Sequence, residues 1–163
     1  MVEEEQGQTF GQMKIIIDTN IIFSVILNTN SRIGDILLNS DDTFKFYSVN
    51  YLKEEINNHK EKLNKISKLS HQEIDAIKTK IYSKINFISE ELIPVNYWEQ
   101  ASEFVKEVDM DDIAFVALSI YLEKTFIWTG DKKLQYGIKK AGYDKILNTQ
   151  EIFNIRKNLE QNR

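Results

Sequence analysis

The chain has 163 residues, a net charge of −4 and 42% hydrophobic residues, enough for one domain that buries roughly 70% of its unfolded surface. With no cysteine it can form no disulfide, thiolate zinc site, iron–sulfur cluster or cysteine nucleophile, so a metal would have to be held by oxygen or by the two histidines. The negative charge argues against broad affinity for nucleic acid, which depends on Lys and Arg neutralising phosphates. No apolar run approaches the roughly 20 residues of a membrane span, and the expected location is the cytoplasm.

Residues 1–12 carry Glu3, Glu4 and Glu5 and show neither helical nor strand periodicity, so they read as a tail or leader, with a single domain over 13–163. Lys14 to Asp18 is a short β-branched run, followed by a helix over Ile21 to Leu27 that opens after Thr19 and Asn20. A helix over Ser31 to Asn39 precedes a strand at Phe44 to Val49. From Tyr51 to about Ser67, Leu52, Ile56, Leu63 and Ile66 recur at helical spacing. A further helix is expected from about Gln72 to Phe87, with Ile74, Ile77, Ile81 and Ile85 on one face.

Leu92 to Val95 reads as a weak strand, because Pro94 suits a strand end or sheet edge. Asn96 to Val108 is then a helix with Trp98, Ala101, Phe104 and Val105 inward. Ile113 to Leu122 is apolar nearly all round and should be the buried helix. A strand at Thr125 to Thr129, a helix over Lys132 to Lys140 closed by Gly142, a short strand at Lys145 to Leu147 and a helix over Gln150 to Leu159 complete the chain. Strands alternating with helices imply a mostly parallel sheet covered on both faces.

Four acids fall where such a sheet brings them together. Asp18 ends the first strand, so its carboxylate leaves the sheet at the carboxyl edge, where open α/β folds place their ligands; its plainer use is to cap the helix that follows. Asp131, after Trp128-Thr129-Gly130, repeats that geometry and that ambiguity. Helical phase separates Glu55 from Glu54: Glu55 lies roughly 60° from the apolar stripe and borders the core, whereas Glu54 faces water. Asp109, Asp111 and Asp112 crowd the entry to the buried helix, more acids than capping needs. Asp109 is the better cap, Asp111 the better solvated residue, and Asp112 the one aimed at the sheet's edge. Four acids on one edge repel each other unless a cation sits among them, and Mg²⁺ and Mn²⁺ prefer oxygen ligands and bind phosphate oxygens as further ligands. Phosphodiester hydrolysis is the natural reaction.

Ile16-Ile17-Asp18-Thr19-Asn20, Tyr51-Leu52-Lys53-Glu54-Glu55-Ile56, the run from Asp109 to Leu118, and Trp128-Thr129-Gly130-Asp131-Lys132-Lys133-Leu134 together resemble the PIN-domain family of metal-dependent nucleases. The resemblance covers Met13 to about Phe153. It implies a Rossmann-like α/β/α sandwich whose five-stranded, mostly parallel sheet has the order 3-2-1-4-5. It makes Asp18, Glu55, Asp112 and Asp131 the catalytic, metal-binding cluster for Mg²⁺ or Mn²⁺, with Asn20 and Thr129 in support. RNA as substrate comes from the resemblance alone, and a DNA nuclease would use the same carboxylates. Short members resemble VapC-type ribonuclease toxins, which makes an antitoxin protein an expected partner.

The chain departs from those compact toxins in a longer helical segment at about 57–88. Between Lys60 and Lys84 seven lysines face only Glu61, Glu73 and Asp75, a local net charge that suits a nucleic-acid backbone. Lys62, Lys65, Lys78 and Lys80 are the candidate phosphate contacts, against the commoner reading of a solvated helical face. The same segment could dock a protein partner or a second copy of the chain in a homodimer. The competing function is a non-catalytic module that keeps the fold and uses these helices to bind nucleic acid or protein.

Overall fold

Ile15, Ile16 and Ile17 are all fully buried, so the first strand is covered on both faces, as the middle of a parallel sheet requires. The computed structural model describes residues 12–162; the expected tail at 1–12 lies outside them except for Gln12, whose side-chain amide donates to the Asp41 carbonyl at 2.7 Å. In chain order the elements are β1 (Met13–Ile17), α1 (Thr19–Leu27), α2 (Arg32–Leu38), β2 (Phe44–Val49), α3 (Tyr51–Asn58), α4 (Lys60–Ser67), α5 (His71–Tyr82), β3 (Ile85–Ile88), α6 (Val95–Val105), α7 (Ile113–Tyr121), β4 (Phe126–Trp128), α8 (Lys132–Lys140), β5 (Ile146–Leu147) and α9 (Thr149–Gln161). Short 3₁₀ turns at Glu90–Leu92 and Met110–Asp112 lead into α6 and α7.

All four strand pairs are parallel, and the sheet order is β3-β2-β1-β4-β5, the expected 3-2-1-4-5. Ile17 lies opposite Trp128 in the register of β1 and β4. Because all strands point the same way, their carboxyl ends form one edge. A helix that precedes a parallel strand must begin at that edge, so α7, which feeds β4, starts there too. The core centres on β1, the inward faces of α1 and α7, and Trp128, whose ring centroid lies 6.0 Å from that of Phe46, and the inward faces of the remaining helices extend it. Each fully buried isoleucine contributes about 1.5–3 kcal/mol relative to exposure.

The third strand is the main correction to the expected elements. Strand β3 is Ile85–Ile88, not Leu92–Val95, and the helix expected to continue to Phe87 stops at Tyr82. Ile81 and Ile85 are four residues apart, so Ile85 falls on the helical stripe by spacing while belonging to the strand; the apolar pattern fits both. Leu92 and Val95, the basis of the expected strand, are exposed, and Pro94 precedes the first turn of α6, with Tyr97 N–H bonded to its carbonyl at 3.0 Å.

A second difference lies between Tyr51 and Ser67, where one expected helix is two. The break is at His59, whose Nδ1 lies 2.8 Å from the Glu55 carbonyl oxygen and whose ring packs edge-on against Phe23 at 5.5 Å. The change of direction leaves Ile66, expected inward, exposed, while Leu63 stays buried. At the other end of the chain Gly142 adopts φ +103°, a conformation that suits glycine, and Tyr143 N–H bonds back to the Ile138 carbonyl, closing α8 as expected. No single helix among the described residues is long and apolar enough to cross a membrane; α1 and α2 reach that length only together, across a bend of 111°.

Candidate active site

The two strand-end aspartates occupy neighbouring strands at the carboxyl edge, joined by a backbone bond from Asp18 N–H to the Trp128 carbonyl at 3.4 Å. Each caps the helix it precedes. Asp18 accepts from Ile21 N–H at 3.2 Å, and Asp131 accepts from Lys133 and Leu134 N–H at 2.9 and 3.1 Å. Capping and membership of the cluster are therefore compatible, since a carboxylate accepts about four hydrogen bonds. Thr129, fully buried between the two, accepts from Asp131 N–H at 3.0 Å and hydrogen-bonds the Asp18 carboxylate with its side chain.

Glu55 enters from α3, half-buried, and accepts a hydrogen bond of 2.5 Å from the Thr19 hydroxyl. Glu54, one residue earlier, is exposed. At the entry to α7, Asp109 caps the 3₁₀ turn by accepting from Asp111 N–H at 2.9 Å. Asp112, which occupies the cap position of α7, makes no capping hydrogen bond, and its side chain is left for the cleft.

Asp18, Thr19, Asn20, Glu55, Asp109, Asp111, Asp112, Phe115 and Asp131 line one cleft of ≈ 260 Å³. Six of these nine are carboxylates and none is basic. The four expected acids thus share one cleft, with exposed Asn20 at its rim. Lys62, Lys65, Lys78 and Lys80 do not line it; Lys78 is engaged by Asp75 at 3.5 Å and borders a separate recess with His71 and Lys60. Thr19, Asp109, Asp111 and Phe115 line the cleft as well, beyond the four acids and Asn20 expected there. Thr19 was legible from its place beside Asp18, and the two aspartates from their crowding.

Burial pushes the Asp18 carboxyl up to about 7, Asp131 and Glu55 adding to the effect and Thr129 and Ile21 opposing it. Asp112 is likewise pushed up to about 7, first by burial, then by Asp18, Asp109, Asp131 and Glu55. Glu55 is raised by burial against the lowering hydrogen bond from Thr19. Tyr51, in the first turn of α3, is held above its ordinary range chiefly by the Glu55 charge, so its phenol stays protonated beside the carboxylates. Like charges sharing a desolvated cleft raise each other in this way, and a cation among them would reverse the effect.

As the side chains stand, no three His, Asp or Glu residues among those described form a ready metal coordination shell. The donor set is nonetheless made of oxygen alone. Mg²⁺ needs only one or two carboxylates, keeps several waters and takes phosphate oxygens as further ligands, so these residues fit a hydrated hard cation better than a dehydrated cage.

Fold and cleft together define a Rossmann-like α/β protein with an acidic cleft, free of basic lining residues, at the carboxyl edge of its sheet. A family model described as the PIN domain matches residues 16–152, and the chain belongs to the PIN-domain family. Among solved structures, the chain is similar to VapBC2 from Rickettsia felis bound to a DNA fragment from their promoter, with a TM-score of 0.62, 13% identity, and coverage of 83% of this chain and 98% of that one. It is also similar to PAE2754 from Pyrobaculum aerophilum, with a TM-score of 0.60, 11% identity, and coverage of 91% and 90%. At such identities the likeness is one of fold. No curated protein matches the sequence.

Proposed function

We propose that this protein is a cytoplasmic Mg²⁺- or Mn²⁺-dependent endoribonuclease that hydrolyses phosphodiester bonds at the acidic cleft and acts as the toxin of a toxin–antitoxin pair. The observation that carries the reading is the convergence of six carboxylates, with no basic residue, on the carboxyl edge of a PIN fold. The likeness to VapBC2, solved with promoter DNA, supports an antitoxin as the protein partner.

Asp18, Asp112 and Asp131 would hold the metal, and Glu55 would complete the cluster or orient the attacking water. A bound divalent ion supplies charge neutralisation for the phosphate and a lowered pKa for water. The chain's own residues do the rest. Thr129 fixes the orientation of Asp18 and Asp131 relative to each other. Thr19 holds Glu55 toward the cleft. Asn20 offers an amide at the rim, and buried Phe115 excludes water from the cleft's inner wall. Outside the cleft, Lys62, Lys65 and Lys80 on exposed faces of α4 and α5 offer backbone contacts to a longer strand.

The test compares two adjacent residues on one helix. Glu55→Gln is expected to lower cleavage of single-stranded RNA by on the order of 10²-fold, while Glu54→Gln leaves the rate within about twofold, since Glu54 is exposed. Equal losses in the two variants would contradict the assignment of Glu55 to the cleft chemistry.

A further inference from the structure

A larger recess, of ≈ 590 Å³, is lined by Val108, Tyr136, Gly137 and Ala141, with Lys133, Lys140 and Glu107 around them. The segments that wall the acidic cleft run straight into it. Val108 precedes Asp109, and Lys133 is bonded through its backbone N–H to the Asp131 carboxylate. On α8, Lys133, Tyr136, Gly137 and Lys140 follow the spacing i, i+3, i+4, i+7 and so share one face, while Leu134 and Ile138 are buried in the core.

Gly137 sets the depth of the recess. A Cβ there would come within 2.5 Å of Val108 Cγ2 and 2.9 Å of Cγ1, so only glycine lets α8 lie this close to Val108 without displacing it. Tyr136 stands beside that contact with 71% of its surface exposed, and Lys140 Nζ lies 5.9 Å from its ring centroid. An exposed tyrosine alone needs no explanation. One that stands at an apolar recess between two lysines, on the helix that begins at a cleft aspartate, has the parts of a stacking platform for nucleic acid.

The acidity of the cleft gives such a platform a use. Six carboxylates repel a phosphodiester until a cation is bound, so the strand must be held from outside. We propose that this recess is a nucleotide subsite for single-stranded RNA: a base stacks on Tyr136, and Lys133 and Lys140, about 10 Å apart along the helix axis, hold the flanking phosphates. Glu107 is the opposing charge, and two lysines outweigh it. A duplex hides its base faces, so the subsite favours unpaired strands. The identity of the ligand rests on the nuclease reading above.

The test is the binding of a short fluorescent 2′-O-methyl RNA, measured by polarisation at several salt concentrations. It is run on the full Asp112→Asn chain and repeated on the wild type in chelator. Tyr136→Ala is expected to weaken binding about tenfold, and Tyr136→Phe to stay within about twofold of the parent, because the ring carries the stacking. Lys133→Gln with Lys140→Gln is expected to flatten the salt slope by about 1.4, at about 0.7 per lost phosphate contact. Tyr136 is exposed, so loss of binding with an unchanged melting temperature belongs to the subsite rather than to the fold. The proposal is overturned if the parent does not bind, if duplex RNA binds as tightly as a single strand, or if Tyr136→Ala and the double lysine variant both match the parent; the last result would leave the recess to a protein segment. Binding is read without turnover, so Tyr136-dependent binding in a chain that cleaves nothing would support the subsite while sinking the nuclease reading.

Discussion

Replacing Asp18 with Asn is expected to abolish cleavage and, in metal-free buffer, to make the protein more stable. Asp18 is buried and its carboxyl is pushed up to about 7, against an unfolded value near 3.8. A carboxyl raised on folding contributes stability that is complete below its unfolded pKa and is lost as pH rises through its folded pKa. The cost of ionised Asp18 therefore grows between pH 4 and pH 7 and levels off above, to at most about 4 kcal/mol. Asparagine keeps an acceptor for Ile21 N–H and carries no charge. The variant's advantage over wild type should thus be larger at pH 8 than at pH 5, and saturating Mn²⁺ should narrow or reverse it, because only the wild type gains fully from binding the ion. Thermal melts at both pH values, in chelator and in Mn²⁺, check this. A variant no more stable than wild type at pH 8 without metal would show that Asp18 is a helix cap whose charge the fold already accommodates.

Trp128→Ala should have the largest effect on folding. The ring is fully buried in the middle of the sheet, packs near Phe46, and donates its indole N–H to the Thr149 hydroxyl at 3.0 Å. Truncation is expected to cost about 3–5 kcal/mol, a large part of the roughly 5–15 kcal/mol that holds a domain together. It should also loosen the cleft, since the next residue, Thr129, connects Asp18 and Asp131. Urea denaturation followed by circular dichroism measures the loss; a cost below about 1 kcal/mol would mean that the sheet centre repacks, against the close packing usual in protein interiors.

The residues most legible in the sequence were those whose local pattern and place in the fold agree. Ile15-Ile16-Ile17 ahead of Asp18, and Ile127-Trp128 ahead of Asp131, are buried strands ending in a polar residue, and parallel topology then brings both ends to one edge. Helical phase separated Glu55 from Glu54 because Leu52 and Ile56 fix the inward side of α3. Patterns that fit two structures were less informative. Ile85 continues a helical stripe yet begins a strand, and Leu92 and Val95 look like strand residues yet are exposed. The break at His59 depends on its side chain meeting the Glu55 carbonyl and the Phe23 ring, contacts that no spacing rule contains. The recess beside the cleft was hidden for a similar reason: Tyr136 and Val108 line one recess because Gly137 lets α8 approach Val108.

The central claim, that the acidic cleft is a metal-dependent phosphodiesterase site, is tested most directly by chelation and add-back on the purified chain. The protein is stripped with chelator, offered single-stranded RNA, and then given Mn²⁺ or Mg²⁺ in steps, with Asp112→Asn carried in parallel. Cleavage that is absent after stripping, returns in proportion to added ion and never appears in Asp112→Asn is the expected result. Cleavage that persists unchanged after thorough stripping, or that Asp112→Asn retains in full, would contradict it.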